Sequence, residues 1–301
     1  MRGLTKILNR DKYLMLLILP VLIYYLIFHY VPMYGIMLAF IDFHPMKGFF
    51  ESQWVGFAHF EAFFNSIYFW RLIKNTILLS FYFLLWGFPI PIIFALLLNE
   101  LKEGIFKKAV QTVSYIPHFI SVVVVAGMIL SFTSVHGGIV NQAIGWFGIE
   151  PINFMGEPRW FRTIFISSSI WQSFGWSSII YLAAISGVNP QLYEAAEIDG
   201  ANRWQKMGKI TLPCLMPTVI ILLILAVGQL MEVGVDKIIL LYSPQIYETA
   251  DVISTFVYRR GIENADYSYS AAIGLFNNVI NLILLIAVNR LSRKISETSL
   301  W

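Results

Sequence analysis

Glu194, Glu197, Asp199, Arg203, Lys206 and Lys209 crowd into one short stretch of a chain in which only 13% of residues are charged. The acids come first, the bases follow, and Gly200 stands between them. At helical spacing these side chains suit ion pairing and hydrogen bonding to another surface, not catalysis. The five histidines, at 29, 44, 59, 118 and 136, show no metal-ligand spacing, and no HExxH run occurs. Ser167, Ser168 and Ser169 lack the glycine setting of an activated nucleophile and read as small residues at a helix interface. No metal site and no catalytic group are expected.

The elements that carry this stretch are apolar. Of 301 residues 57% are hydrophobic and only 13% charged, against a usual charged fraction of about 25%. Mean hydropathy is +0.68, and the apolar residues lie in runs. The chain therefore reads as an all-α integral membrane protein. A net charge of +3 with no Lys/Arg-dense block is too small to imply a nucleic-acid partner. The one cysteine, Cys214, has no internal disulfide partner and reads as a packing residue.

A hydrocarbon core of about 30 Å needs roughly 20 helical residues. Residues 13–31 fit a first span, retained because no small-residue cleavage site follows the basic start. Further spans read as 72–98, 111–132, 161–187, 214–232 and 269–289, six transmembrane helices in all. Lipid offers no partner to bare backbone groups, so each must be helical. Pro20, Pro89, Pro91 and Pro217 are expected to kink them. The organisation expected is 1–71 (tail, first span and aromatic segment), 72–289 (core) and 290–301 (tail). The aromatic segment, with Trp54, Phe57, Phe60 and Phe63 among others, reads as an interfacial anchor.

Six spans put both termini on one side. Arg2, Lys6, Arg10, Lys12, Lys102, Lys107, Lys108, Arg203, Lys206, Lys209, Arg290, Arg293 and Lys294 would share it, outnumbering the basic residues opposite. By the positive-inside rule that side is the cytoplasm.

Residues 189–213 then form a cytoplasmic helix–Gly–helix. Asn189 is the N-cap and Pro190 the first helical residue. Glu194 and Glu197 suit the positive end of the dipole, and Gly200 suits a left-handed stop. A second helix is expected from about residue 201 to 212. Trp204, Met207 and Ile210 line one stripe, Arg203, Lys206 and Lys209 another, and Pro213 marks the boundary with the fifth span. A membrane-surface loop and a DNA-reading helix-turn-helix are the alternatives. The second has few basic residues and is tethered between spans. A docking element for a soluble partner fits best.

Glu194-Ala195-Ala196, three residues, Gly200, nine residues, then Ile210-x-Leu212-Pro213 resembles the EAA motif of ABC-importer permeases. The fuller form from Tyr193 through Ile198, Asp199, Gly200 and Ala201 is similar to their carbohydrate-uptake branch. Pro32-Met33-Tyr34-Gly35, Phe57-Ala58-His59-Phe60, Asn75-Thr76 and Ile116-Pro117-His118-Phe119-Ile120-Ser121 extend the resemblance, the first and last toward permeases for polysaccharide-derived oligosaccharides. Met207 stands where the family often has Phe. The resemblance implies a type I ABC importer permease fold in a bacterial cytoplasmic membrane. It implies a coupling surface of Tyr193, Glu194, Ala195, Ala196, Asp199, Gly200, Ala201, Met207, Ile210, Leu212 and Pro213 on a cytoplasmic ATPase dimer. It further implies an extracytoplasmic solute-binding protein and a second permease, with a heterodimer favoured. With no GxxxxGK[ST] run here, ATP and Mg would be held by the partner ATPase, and this chain carries no cofactor.

Polar groups inside spans are costly and mark either interhelical bonds or a substrate path. The candidates are Trp171, Gln172, Trp176, Gln229, Asn277, Asn278 and Asn281, with Glu232 at a span end. The asparagines share a helix face, and the tryptophans suit sugar faces. An ion-coupled secondary carrier is the rival, but Glu232 alone approaches membrane depth as an ionisable group.

Overall fold

A computed structural model of the chain describes residues 12–296. The basic residues Arg2, Lys6 and Arg10 and the last five positions of the expected C-terminal tail lie outside the described residues. The chain divides into two compact units, one of Met1–Ser66 with Val257–Phe276 and the other of Ile67–Phe256 with Asn277–Trp301.

In the first unit α1 (Lys12–Phe40) is a single apolar helix whose most hydrophobic window has no buried residue within this chain. It runs nine residues past the expected end of the first span. Two short antiparallel strands follow, β1 (Ile41–Asp42) and β2 (Gln53–Trp54), with Ile41 opposite Trp54. Then comes α2 (Ala58–Phe64). The aromatic segment folds on itself: Phe40 meets Trp54, Phe57 and Phe60 with ring centroids 5.5–5.7 Å apart. Phe63 is fully buried.

The second unit is helical throughout: α3 (Phe69–Asn99), α4 (Ile105–Phe119), α5 (Val122–Phe132), α6 (Ile139–Gly145), α7 (Pro158–Ser186), α8 (Pro190–Ile198), α9 (Arg203–Gly228), α10 (Val235–Leu241), α11 (Tyr247–Ala250) and α12 (Ile253–Tyr258). The long α13 (Tyr267–Ser296) starts in the first unit and ends in this one. It extends into the expected tail. Among the described residues four helices, α1, α3, α9 and α13, are long and apolar enough to cross a membrane.

The fourth expected span, α7, is long enough but too polar to join that set, because serines recur along it. Ser168 and Ser169 donate back to the carbonyls of Ile164 and Phe165, which lets a helix carry hydroxyls without unpaired groups. α7 is also the centre of packing. Leu79, Ile129, Phe161 and Phe165 belong to one core cluster with Ile238 and Leu241. Ala95, Tyr181, Ile185 and Leu215 belong to another. Gly175 sits against α4 so closely that a Cβ there would lie 2.1 Å from the Ser114 carbonyl oxygen. Only glycine fits that crossing.

The third expected span is not one helix. α4 and α5 meet at 98°. Pro117 lacks an N–H, Ile120 is extended, and Ser121 caps α5 by accepting from the Val124 amide. A continuous apolar run hid this break.

The prolines at 32, 89 and 213 do not end helices. Three π-helical turns, Leu26–Tyr30, Phe83–Gly87 and Met207–Thr211, each hold the residue four before a proline: Phe28 before Pro32, Leu85 before Pro89, Lys209 before Pro213. A proline ring collides with the carbonyl four residues back, and a wider turn there relieves the collision. For this reason Pro213 is no boundary. The expected second coupling helix and the fifth span are one helix, α9.

At the other end of the bundle, Asn75 of α3 ties three segments together. Its amide donates to the carbonyls of Glu248 and Asp251, and its oxygen accepts from Arg162 of α7 at 2.9 Å. Arg71 pairs with the fully buried Asp251 at 2.8 Å, and Thr76 accepts from the Ile253 amide.

Candidate functional site: a coupling elbow and a polar-lined cavity

The polar stretch folds as a capped elbow. Asn189 accepts from the Gln191 amide and Pro190 opens α8, as expected. At the far end Gly200 has φ +77°. Its N–H bonds to the Glu197 carbonyl, and the Ala201 N–H bonds to the Ala196 carbonyl at 2.8 Å. This pair of bonds is a Schellman stop, which needs the left-handed residue that glycine supplies without strain. Asn202 and Gln205 then form a capping box that starts α9.

Two side-chain links hold the helices together. Tyr193 Oη lies 2.9 Å from Oγ1 of the buried Thr211, and Lys206 pairs with Glu197 across the turn. The hydrogen bond from Lys206, and then its charge, lower the Glu197 carboxyl below the usual carboxylate range. The elbow is thus a rigid body, not a loose loop.

Its faces differ. Glu194, Ala195 and Asp199 are exposed, and so are the large apolar residues Ile198 (87%) and Trp204 (70%). Met207 turns the other way and packs with Tyr181, Ile185 and Leu215 in the bundle. Ile210 is half-buried, while Leu212 and Pro213 are exposed. Exposed Ile198 and Trp204 beside an acid form an anchor of the kind that protein interfaces use. Neither was in the expected coupling set. By spacing alone Trp204 shares one stripe with Met207 and Ile210.

Inside the second unit lies a cavity of about 650 Å³, within the range that holds a small-molecule ligand. Trp176, Gln229 and Glu232 line it, together with Ser80, Ser169, Ser173 and Ser177 and an apolar wall from α3 and α9. Ser169, Ser173, Trp176 and Ser177 share one face of α7 at spacings of three and four, a signal present in the sequence and not used there. Trp176 stacks on His118, ring centroids 4.6 Å apart.

The other path candidates are not among the residues that line this cavity. Gln172 donates to the Ile120 carbonyl at the α4–α5 break. Asn281 accepts from the Met231 amide and Asn277 donates to the Met231 carbonyl, where α9 has ended. Each amide satisfies backbone that a helix break leaves bare. Trp171 and Asn278 are exposed and are not among the residues that line the cavity. Among the described residues no group of His, Cys, Asp and Glu is placed to hold a metal.

Residues 70–297 match the family described as binding-protein-dependent transport system inner membrane component. The chain belongs to that family. The permease is 46% identical over 292 residues, 97% of its length and 91% of the relative's, to the polygalacturonan/rhamnogalacturonan transport system permease protein YteP of Bacillus subtilis. It is 42% identical to Protein LplB of the same organism over 98% of its length and 92% of the relative's. Among solved structures it resembles a chain of a bacterial ABC transporter involved in the import of the acidic polysaccharide alginate. The TM-score is 0.91 at 48% identity, covering 98% of this chain and 99% of that one. A second structure of the alginate transporter, in complex with an alginate pentasaccharide-bound periplasmic protein, gives 0.90 at 47%. The permease is thus a multi-pass membrane transport subunit.

Proposed function

We propose that the permease forms half of the translocation path of an ATP-driven importer for oligosaccharides released from a polysaccharide. The observation that carries this reading is the elbow at 189–213. It is a rigid, capped helix pair with an acid, an isoleucine and a tryptophan exposed, in a chain with no nucleotide-binding loop. Six transmembrane helices place the elbow and both termini in the cytoplasm. A separate ATPase dimer, holding ATP and Mg, seats α8 in a cleft where Glu194 meets a basic residue. Closure of that dimer pushes on the elbow. Because α9 runs without interruption from the elbow to Gly228, the push reaches the wall of the cavity directly. The span α1, whose most hydrophobic window has no buried residue within its own chain, faces lipid and a second, different permease. A solute-binding protein delivers cargo from the other side.

The test is co-purification and uptake in cells. Tagged permease should bring down an ATPase and a second permease. Glu194→Lys or Gly200→Pro should abolish uptake while the chain still inserts. Normal uptake by both variants would remove the elbow from the mechanism. A lone ion-coupled carrier would purify without either partner.

A further inference from the structure

Lys237 is 5% exposed, yet no acid pairs with it among the described residues. Its ammonium donates to Ser169 Oγ at 3.0 Å and lies 5.6 Å from the centre of the Phe165 ring. Ser169 and Phe165 both line the cavity. Lys237 itself, on α10, stands one side chain behind that wall. Ser169 already donates to the Phe165 carbonyl, so its oxygen is fixed as an acceptor for the ammonium. Among the described residues, two of the three ammonium donors have no protein partner. A buried cation without a counter-charge is costly, and burial pushes this one down to about 8. Glu232 is the one charged residue among those lining the cavity, and it is exposed, so water screens it. The deficit in the wall is therefore a negative charge.

We propose that Lys237 makes the permease select acidic over neutral oligosaccharides, its fixed ammonium balancing a carboxylate of the cargo in the cavity. This rests on the reading of the cavity as the cargo path. The carboxylate takes the place of the missing counter-ion, by field or by displacing Ser169 as the ammonium's acceptor.

The experiment uses the purified transporter complex without its binding protein. Tryptophan fluorescence, with Trp176 in the cavity wall, reports binding of trigalacturonate and of its fully methyl-esterified form. Wild-type complex should prefer the acid. Lys237→Met, which keeps the stem, should reduce the ratio of acid to ester affinity roughly tenfold or more, and Lys237→Arg should restore it. A Lys237→Met ratio equal to that of wild type, including equal loss of both ligands, overturns the proposal and leaves the cavity reading standing. Wild-type complex that binds neither form overturns the cavity reading, and the proposal with it.

Discussion

Gly200 bears the sharpest conformational demand in the coupling elbow. With φ at +77° it can be replaced by an L-residue only at a cost of about 1–2 kcal/mol, and not by proline, whose ring fixes φ near −65°. Gly200→Ala should therefore give a folded permease with weakened uptake, and Gly200→Pro none, read as transport at matched membrane levels. The caps around this turn were legible in the sequence, because capping depends on near neighbours: Asn189, Pro190 and Gly200 sit where local chemistry puts them. Which face of α9 looks outward was not legible. Trp204, Met207 and Ile210 share a stripe by spacing, and only the tertiary packing reveals that Met207 is inside and Trp204 outside. Trp204→Ala should accordingly loosen the hold on the ATPase without lowering the melting temperature of the permease, while Met207→Ala should lower it.

Between the helices, stability rests on a few close approaches and on amides that serve broken backbone. Gly175→Ala would drive a methyl into the Ser114 carbonyl and should destabilise the α4–α7 crossing by about 1–3 kcal/mol, seen as a lower temperature of aggregation in detergent. Asn281→Leu strips the Met231 amide of its acceptor, and a buried donor left bare costs about 1–3 kcal/mol. The same readout checks it, and an unchanged temperature would mean that water reaches Met231. These features explain what the sequence hid. An apolar run looks alike whether straight or broken, so the 98° turn at Pro117–Ser121 passed as a single span. α7 passed as an ordinary span for the opposite reason: its serines are tolerated because they bond back to their own helix. The π turns ahead of Pro32, Pro89 and Pro213 do leave a trace, since the proline fixes where the wider turn must lie.

At the scale of the molecule, the continuous α9 is the central feature. It starts at the elbow and ends beside Gln229 and Glu232 at the cavity, so one helix joins the two. The membrane class was readable from composition and the family from one motif. The cavity was only half readable, since its lining is drawn from helices far apart in sequence. The claim that the elbow transmits ATP hydrolysis is tested most directly in proteoliposomes holding this permease, its partner permease and the ATPase. The measurement is the rate of ATP hydrolysis with and without cargo-loaded binding protein. The account predicts strong stimulation for the wild-type complex and none for Glu194→Lys or Gly200→Pro. Full stimulation in both variants would contradict it.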